Sequence, residues 1–250
     1  MPATLASPEP GDRVARVLPR PFRHWRHDRA RRRLAARHLR GAGLEIGALH
    51  RPFPVPPGAR VRYVDRFTTA QLREEYAELA GEPFAEVGVV DDAARLATIA
   101  DGSEDFVVAA HVLEHTEDPI AALQAQLRVL RPGGVLLLAL PDRRTDLDAL
   151  REPTTLEHLL ADHREGPLRS RSEHYREWAR LVDLPLGLIA PGEVDRHAAQ
   201  LERSDADIHF HCWTLDELVA QLPAFGLPAQ LVQTRRNGQE FLLVLRRSAD

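Results

Sequence analysis

The chain contains no lysine. All 33 of its Lys-plus-Arg residues are arginine, and no mechanism follows from that bias. It has one cysteine, Cys212, in 250 residues. A single thiol excludes an intramolecular disulfide framework and a thiolate metal cluster. No apolar run approaches the roughly 20 residues that a membrane helix needs. The N-terminus lacks the basic-then-apolar order of a secretory signal, so a cytoplasmic location without membrane contact is the expectation. The formal net charge of -4 singles out no partner. What remains is a hydrophobic share of 44%. That is enough for the core of one large domain, or of one domain with an elaborate insertion.

Glycine is scarce at a telling place. The stretch GLEIGALHRPF, Gly43 to Phe53, starts like a nucleotide-binding turn, with Leu44, Glu45 and Ile46 running into Gly47. A dinucleotide fold would continue with two more glycines, the second letting the backbone approach a pyrophosphate. Ala48, Leu49, His50, Arg51 and Pro52 follow instead. A cofactor with adenosine but no phosphate does not need that cradle.

Residues 1–21 show no period and read as a loose tail. Residues 22–41 read as a basic helix that packs Trp25, Leu34 and Leu39 on the domain edge; such a block can also bind phosphates. Beyond it, apolar runs alternate with helical ones. Leu44–Ala48, Val61–Asp65, Glu86–Asp92, Asp105–His111 and Val135–Pro141 read as five strands. Segments 68–80 and 118–130 read as helices, the second opening on Asp118 and Pro119, with Arg131-Pro132-Gly133-Gly134 as a break. Fully apolar strands joined by helices imply a parallel sheet covered on both faces. Residues 142–207 interrupt the rhythm and carry several predicted helices. A helix over 213–226 follows, with Thr214 as cap and Gly226 as stop. Two strands, 229–234 and 240–247, close the chain around a tight turn at Asn237-Gly238.

Ligands of an open parallel sheet bind beyond the carboxyl ends of its strands. Gly47, Asp65, the Asp91-Asp92 pair and His111 occupy those ends. An acid after the second strand can accept both ribose hydroxyls, and an acid after the third can accept from an adenine amino group. S-adenosyl-L-methionine is a cofactor that this set suits.

LEIGA, VDRF, VVDDAARL, DFVVAAHVLEH and LRVLRPGGVLLLALPD, in this order, resemble the class I S-adenosylmethionine-dependent methyltransferases. The nearest type is the bacterial small-molecule and glycan-associated group with an HVLEH segment. The resemblance covers residues 43–142 and implies an α/β, Rossmann-like, seven-stranded, mostly parallel sheet. It also implies a C-terminal antiparallel hairpin and a helical substrate lid, residues 142–207, between strands 5 and 6. It makes the chain from residue 42 to 250 one methyltransferase domain. The cofactor shell it implies comprises Glu45, Ile46, Gly47, Ala48, Arg51, Asp65, Arg66, Asp91, Asp92, Ala93 and His111. Asp92 is favoured over Asp91 for adenine, and Arg51 is either a clamp on the cofactor's carboxylate or a surface residue.

Methyl transfer needs alignment, water exclusion and, for a hydroxyl or amine acceptor, a base. His111, His115 and Asp142 fall at strand ends; His158 and His163 fall on a helix of the lid, where Asp162 shares a face with His158. Twelve histidines leave three readings open: a polar pocket with one base, ordinary surface residues, or a divalent metal on His209, His211 and a lid residue. No familiar metal spacing is present, and no metal ligand set is assigned. Lid arginines Arg143, Arg144, Arg151 and Arg164 suit an acceptor carrying a carboxylate or phosphate. The expected acceptor is a polar small molecule: a sugar, a glycan precursor or a secondary metabolite. RNA bound by the basic helix, another reaction of the same cofactor, and a non-catalytic scaffold are the alternatives. A homodimer is left open.

Overall fold

The computed structural model describes residues 24–145 and 147–249. The expected tail lies outside those residues, as does the side chain of Trp25. Seven strands form one sheet: β1 (Ala42–Ile46), β2 (Arg60–Asp65), β3 (Val87–Val90), β4 (Glu104–Ala110), β5 (Leu130–Pro141), β6 (Ala229–Asn237) and β7 (Glu240–Arg247). Their order is β3-β2-β1-β4-β5-β7-β6. The first five run parallel, while β7 lies antiparallel to both β5 and β6. The order reverses between β1 and β4, so the crevice of an open sheet opens there.

Alternation along each strand sorts the core into two layers. Leu44, Ile46, Val107, Ala109, Leu136, Leu138, Phe241 and Leu243 face one layer. Helix α3 (Pro119–Val129) and helix α7 (Leu215–Gln221) cover it through Ile120, Leu123, Leu127, Leu215 and Leu218. Phe106, Val108, Val135, Leu137, Leu242 and Val244 face the other layer. Ala30, Leu34, Ala35 and Leu39 of α1 (His24–His38) and its C-terminal flank cover that side, joined by Phe53. Each fully buried leucine is worth roughly 1.5–3 kcal/mol. The basic helix is therefore held by its apolar stripe.

Between the strands, α2 (Thr69–Glu75) is fixed by a capping box of Thr68 and Gln71. No helix joins β1 to β2: residues 47–59 are an irregular loop. Pro52, Pro54, Pro56 and Pro57 remove four backbone donors there and block helix propagation. The β3–β4 connection is also made of turns.

The predicted break at Arg131–Gly134 is instead part of β5, which starts at Leu130. Glu104 pairs with Leu130, but Phe106 pairs with Val135, so extra residues bulge out. Gly133 supplies the φ of 78° that this bulge requires. The closing hairpin forms, with Asn237 paired to Glu240 and Gly238-Gln239 as its two-residue loop. Gly238, at φ 73°, takes the first central position, where a II′ turn requires it. Helix α7 has the expected Thr214 cap, boxed with Glu217, and Gly226 at φ 62° ends the following short turn.

Between β5 and β6 the chain adds α4 (Leu156–Glu165), α5 (Arg171–Trp178) and α6 (Val194–Arg203). Tyr175, Trp178, Val182, Ala198, Ile208 and Phe210 give this insert its own core. Among the described residues no helix is long and apolar enough to cross a membrane.

Candidate active site

A cleft of about 1650 Å³ opens at the carboxyl ends of β1 to β4. That exceeds the roughly 300–1,000 Å³ of a typical small-molecule pocket and has room for two ligands. Glu45, Ile46, Gly47, Ala48 and Arg51 line it from β1, Asp65 and Arg66 from β2, Asp91, Asp92 and Ala93 from β3, and His111 from β4. The sheet thus brings every residue expected in the cofactor shell to one cleft.

Local geometry gives these residues different capacities. Gly47 sits at φ 67°, and a Cβ there would lie 2.9 Å from Val112 Cγ2. Only glycine fits without strain. The Glu45 carboxyl is 1% exposed and accepts from the Phe53 N–H at 2.6 Å, which pins the proline-rich loop. Its other oxygen is buried and has no hydrogen bond among the described residues. Burial raises the Glu45 pKa to about 8, against the lowering effects of the Phe53 N–H and Arg31. Asp65 is 9% exposed, and burial raises its pKa although the Arg66 and Phe67 amides oppose this. Asp91 spends both oxygens on its own loop, accepting from the N–H groups of Asp92, Ala97 and Thr98 and from the Thr98 hydroxyl. Asp92 accepts from Ala94 N–H through Oδ1 and makes only a 3.9 Å ion pair to Arg95 through Oδ2.

The other half of the cleft is a network of buried charge. His111 holds φ 56°, a left-handed conformation that costs a non-glycine residue of order 1–3 kcal/mol. Its Nε2 is 3.0 Å from Glu240 Oε2, and its Nδ1 forms a 3.4 Å ion pair with Glu114. Burial alone would lower the His111 pKa, but the two carboxylates overcome it and raise it to about 9. The two carboxylates thus favour the charged form of His111 at neutral pH, which makes it the less suited of the candidate bases in the cleft. Arg31 of α1 completes the network, with Nε 3.0 Å and Nη2 2.5 Å from the Glu240 oxygens.

His115 is a second cleft histidine oriented by a carboxylate. Its Nδ1 lies 2.9 Å from Asp207 Oδ1, and Asp207 accepts from the Tyr76 hydroxyl at 3.0 Å. Burial lowers the His115 pKa, but Asp207 and Glu114 outweigh it and raise it. Asp207 is held down at about 2, because His115, Arg66 and Tyr76 overcome its burial.

Asp142, His158 and His163 do not line this cleft. Asp142 is 5% exposed and chelated by Arg144 through two hydrogen bonds. His163 Nδ1 lies 2.9 Å from the α3 cap, Asp118 Oδ2. His158 joins His174 and His211 inside the insert. The lid arginines are spent elsewhere too. Arg151 is buried on Asp148, Glu177 and two carbonyl oxygens, and Arg143 donates to the Arg151 carbonyl. Arg164 is exposed and, like the others, does not line the cleft. Glu114, Asp207, Glu240 and Arg31 were not picked out by sequence reasoning. Only Glu114 carried a local signal, its place in HVLEH.

The strand order, the single reversed strand and the cleft define the class I methyltransferase fold. The methyltransferase domain family matches residues 41–138. This segment is a class I methyltransferase domain, and its cofactor is S-adenosyl-L-methionine. A 37.1 kDa protein of transposon TN4556 from Streptomyces fradiae is 35% identical over 102 residues, 41% of this chain and 28% of that protein. A human thiol S-methyltransferase, TMT1B, is 40% identical over 87 residues, 32% of this chain and 34% of that enzyme. The chain thus spans about a third or less of the curated relatives it matches. A solved Haloferax volcanii protein described as a putative methyltransferase, in complex with the Trm112 methyltransferase activator, superposes with a TM-score of 0.50 at 11% identity. The match covers 91% of this chain and 90% of that one, and it speaks for the fold alone.

Proposed function

We propose that this protein transfers the methyl group of S-adenosyl-L-methionine to oxygen or nitrogen of a polar small molecule such as a sugar, glycan precursor or secondary metabolite. The observation that carries the reading is the convergence of the Gly47 turn, Asp65 and the Asp91–Asp92 loop on one cleft. The orphaned, buried oxygen of Glu45 at the same cleft fits a cofactor that carries an ammonium group. When bound, S-adenosyl-L-methionine supplies a methyl carbon activated by its sulfonium.

The chain's own residues divide the remaining work. Asp65 accepts the ribose hydroxyls, Asp92 offers its less committed oxygen to the adenine amino group, and Glu45 accepts from the ammonium group. Gly47 lets the backbone approach. His115, oriented by Asp207, takes the proton of the attacking hydroxyl or amine at the nitrogen not facing Asp207. His111, already charged, holds the floor of the site through Glu114 and Glu240. Glu117, Asp118, Asp205, Asp207 and Glu240 line the same cleft, each already paired with an arginine or histidine. This wall of paired charges offers hydrogen bonds to a polyhydroxyl or other polar acceptor, and the lid arginines that had suggested an anionic one stand outside it.

Calorimetry with S-adenosylmethionine and S-adenosylhomocysteine tests the cofactor site. Asp65→Ala should weaken binding at least tenfold, since a hydrogen bond to a charged group is worth about 1.5–3 kcal/mol. Equal binding by the variant would refute the ribose assignment. A screen of amines, polyols and thiols for methylated product then tests the acceptor; thiols belong in it because the human relative acts on them.

A further inference from the structure

The insert holds a second cluster of chemically capable side chains, separate from the methyltransferase cleft. His158 of α4, His174 of α5 and His211 of the segment before α7 each place a ring nitrogen within 4.8 Å of the others. His158 Nε2 and His174 Nε2 are 3.0 Å apart. Asp162, one turn beyond His158, brings Oδ2 to 3.0 Å from His158 Nε2 and 3.9 Å from His174 Nε2. We propose that His158, His174, His211 and Asp162 form a binding site for a divalent transition metal, Zn²⁺ being the best match.

Three observations lead there. The first is proton arithmetic at His158. One imidazole nitrogen carries either one proton or one lone pair, so it can serve only one of its two 3.0 Å contacts well. A cation at the centre satisfies both nitrogens and the carboxylate together. The second is His211, which is 0% exposed. Its Nε2 lies 3.3 Å from the Glu117 carbonyl, to which an N–H there would donate, while its Nδ1 is buried without a hydrogen bond among the described residues. An imidazole fixed through one nitrogen and left open at the other is the usual state of a metal ligand. The third is size and chemistry. Tetrahedral zinc with ligands near 2.0–2.1 Å places them about 3.3 Å apart, within the 3.0–3.9 Å span among His158, His174 and Asp162, while the His211 nitrogen lies within 4.8 Å of the other two histidines. Three imidazoles and one carboxylate are donors that zinc accepts.

Outer contacts support the set. Ser170 donates to Asp162 Oδ2 at 2.8 Å, and Arg169 Nη1 lies 3.2 Å from Oδ1. These contacts orient the carboxylate in the way that partners of metal ligands do. His158 keeps 30% of its side chain exposed, which gives the ion a path in. The site would tie α4 and α5 to the segment carrying Asp207 and Phe210, two residues that line the cleft. Its role is to set the shape of the cleft wall, and the inference does not depend on which acceptor is methylated.

The test uses the full chain, stripped of metal and titrated with Zn²⁺ and, separately, Co²⁺. Wild type should take up about one equivalent, and at a hundredfold excess over Kd its melting temperature should rise by about 5–10 °C. Bound Co²⁺ should give the intense visible absorption of a tetrahedral nitrogen–oxygen site. His158→Asn and His174→Asn should each weaken uptake more than about 100-fold, beyond the 10–100-fold typical of outer-partner changes. Uptake by wild type no tighter than by the double variant would overturn the proposal. So would a weak octahedral Co²⁺ spectrum, a readout that needs no variant to fold. Loss of uptake in His209→Asn but not in His174→Asn would also overturn it, moving the ion to Glu114, His115 and His209, the other group among the described residues close enough to hold one.

Discussion

Replacing Glu240 with glutamine keeps the shape of the side chain and removes the anion shared by Arg31 and His111. Glu240 is 3% exposed, and its pKa falls from the ordinary 4.5 to about 2 because its burial is outweighed by His111 and Arg31. A depression of that size corresponds to about 3 kcal/mol of folding stability. The raised His111 pKa is partly the same interaction seen from its partner, so the two are not added. Breaking one partner of a buried pair typically costs 3–5 kcal/mol, so Glu240→Gln should destabilise by about 2–4 kcal/mol, or very roughly 4–16 °C in melting temperature.

The pH dependence is more discriminating. The Glu240 contribution is present above its unfolded pKa of 4.5 and is lost as pH falls through about 2. The His111 contribution is fully present below its unfolded pKa of 6.5 and is lost as pH rises through about 9. The difference between wild type and variant should therefore peak between pH 4.5 and 6.5 and narrow at alkaline pH, without vanishing, because Arg31 stays charged. Urea unfolding near about pH 5.5, 7.5 and 9.5 measures it. A difference below about 1 kcal/mol, or one flat across that range, would refute the buried-network account.

Three further outcomes follow from the site. Glu45, at about pKa 8 before a ligand arrives, is mostly protonated at neutral pH. A cationic ligand should lower that pKa, so binding should release close to one proton near about pH 7 and tighten as pH rises; calorimetry in buffers of different ionisation enthalpy measures the release, and zero release rejects it. Asp207→Asn removes the carboxylate that most raises the His115 pKa, so the limb of the pH–rate profile governed by the base should move to lower pH, with kcat falling by about 10²–10⁴; an unmoved limb would refute the base role. Gly47→Ala meets both a positive φ and Val112, and should cost about 1–3 kcal/mol of stability and most cofactor affinity, read by thermal unfolding and calorimetry; a neutral outcome would mean the turn is free to relax.

The sequence determined the layered α/β sheet because hydrophobic alternation and turn chemistry are local. Val107 to Ala109 and Leu136 to Leu140 sit in short all-apolar runs, the pattern of strands buried on both faces, and Thr214 and Asp118 begin helices by bonds made within a few residues while Gly238 turns the chain by its positive φ. The cofactor half was legible for the same reason: in a parallel sheet, a residue at a strand's carboxyl end is assigned to the crevice by strand direction alone. Tertiary structure decided the rest, because the chemistry there depends on distant partners. Glu240 is 129 residues from His111 and 209 from Arg31, yet these contacts favour the charged form of one of the candidate bases. His158 lies 16 residues from His174, and the ring of His211 completes their group from a third segment. Arg151, expected to face a ligand, is instead consumed by Asp148, Glu177 and two carbonyl oxygens. Burial and charge pairing set what an ionisable side chain does, and neither exists until the chain has closed on itself.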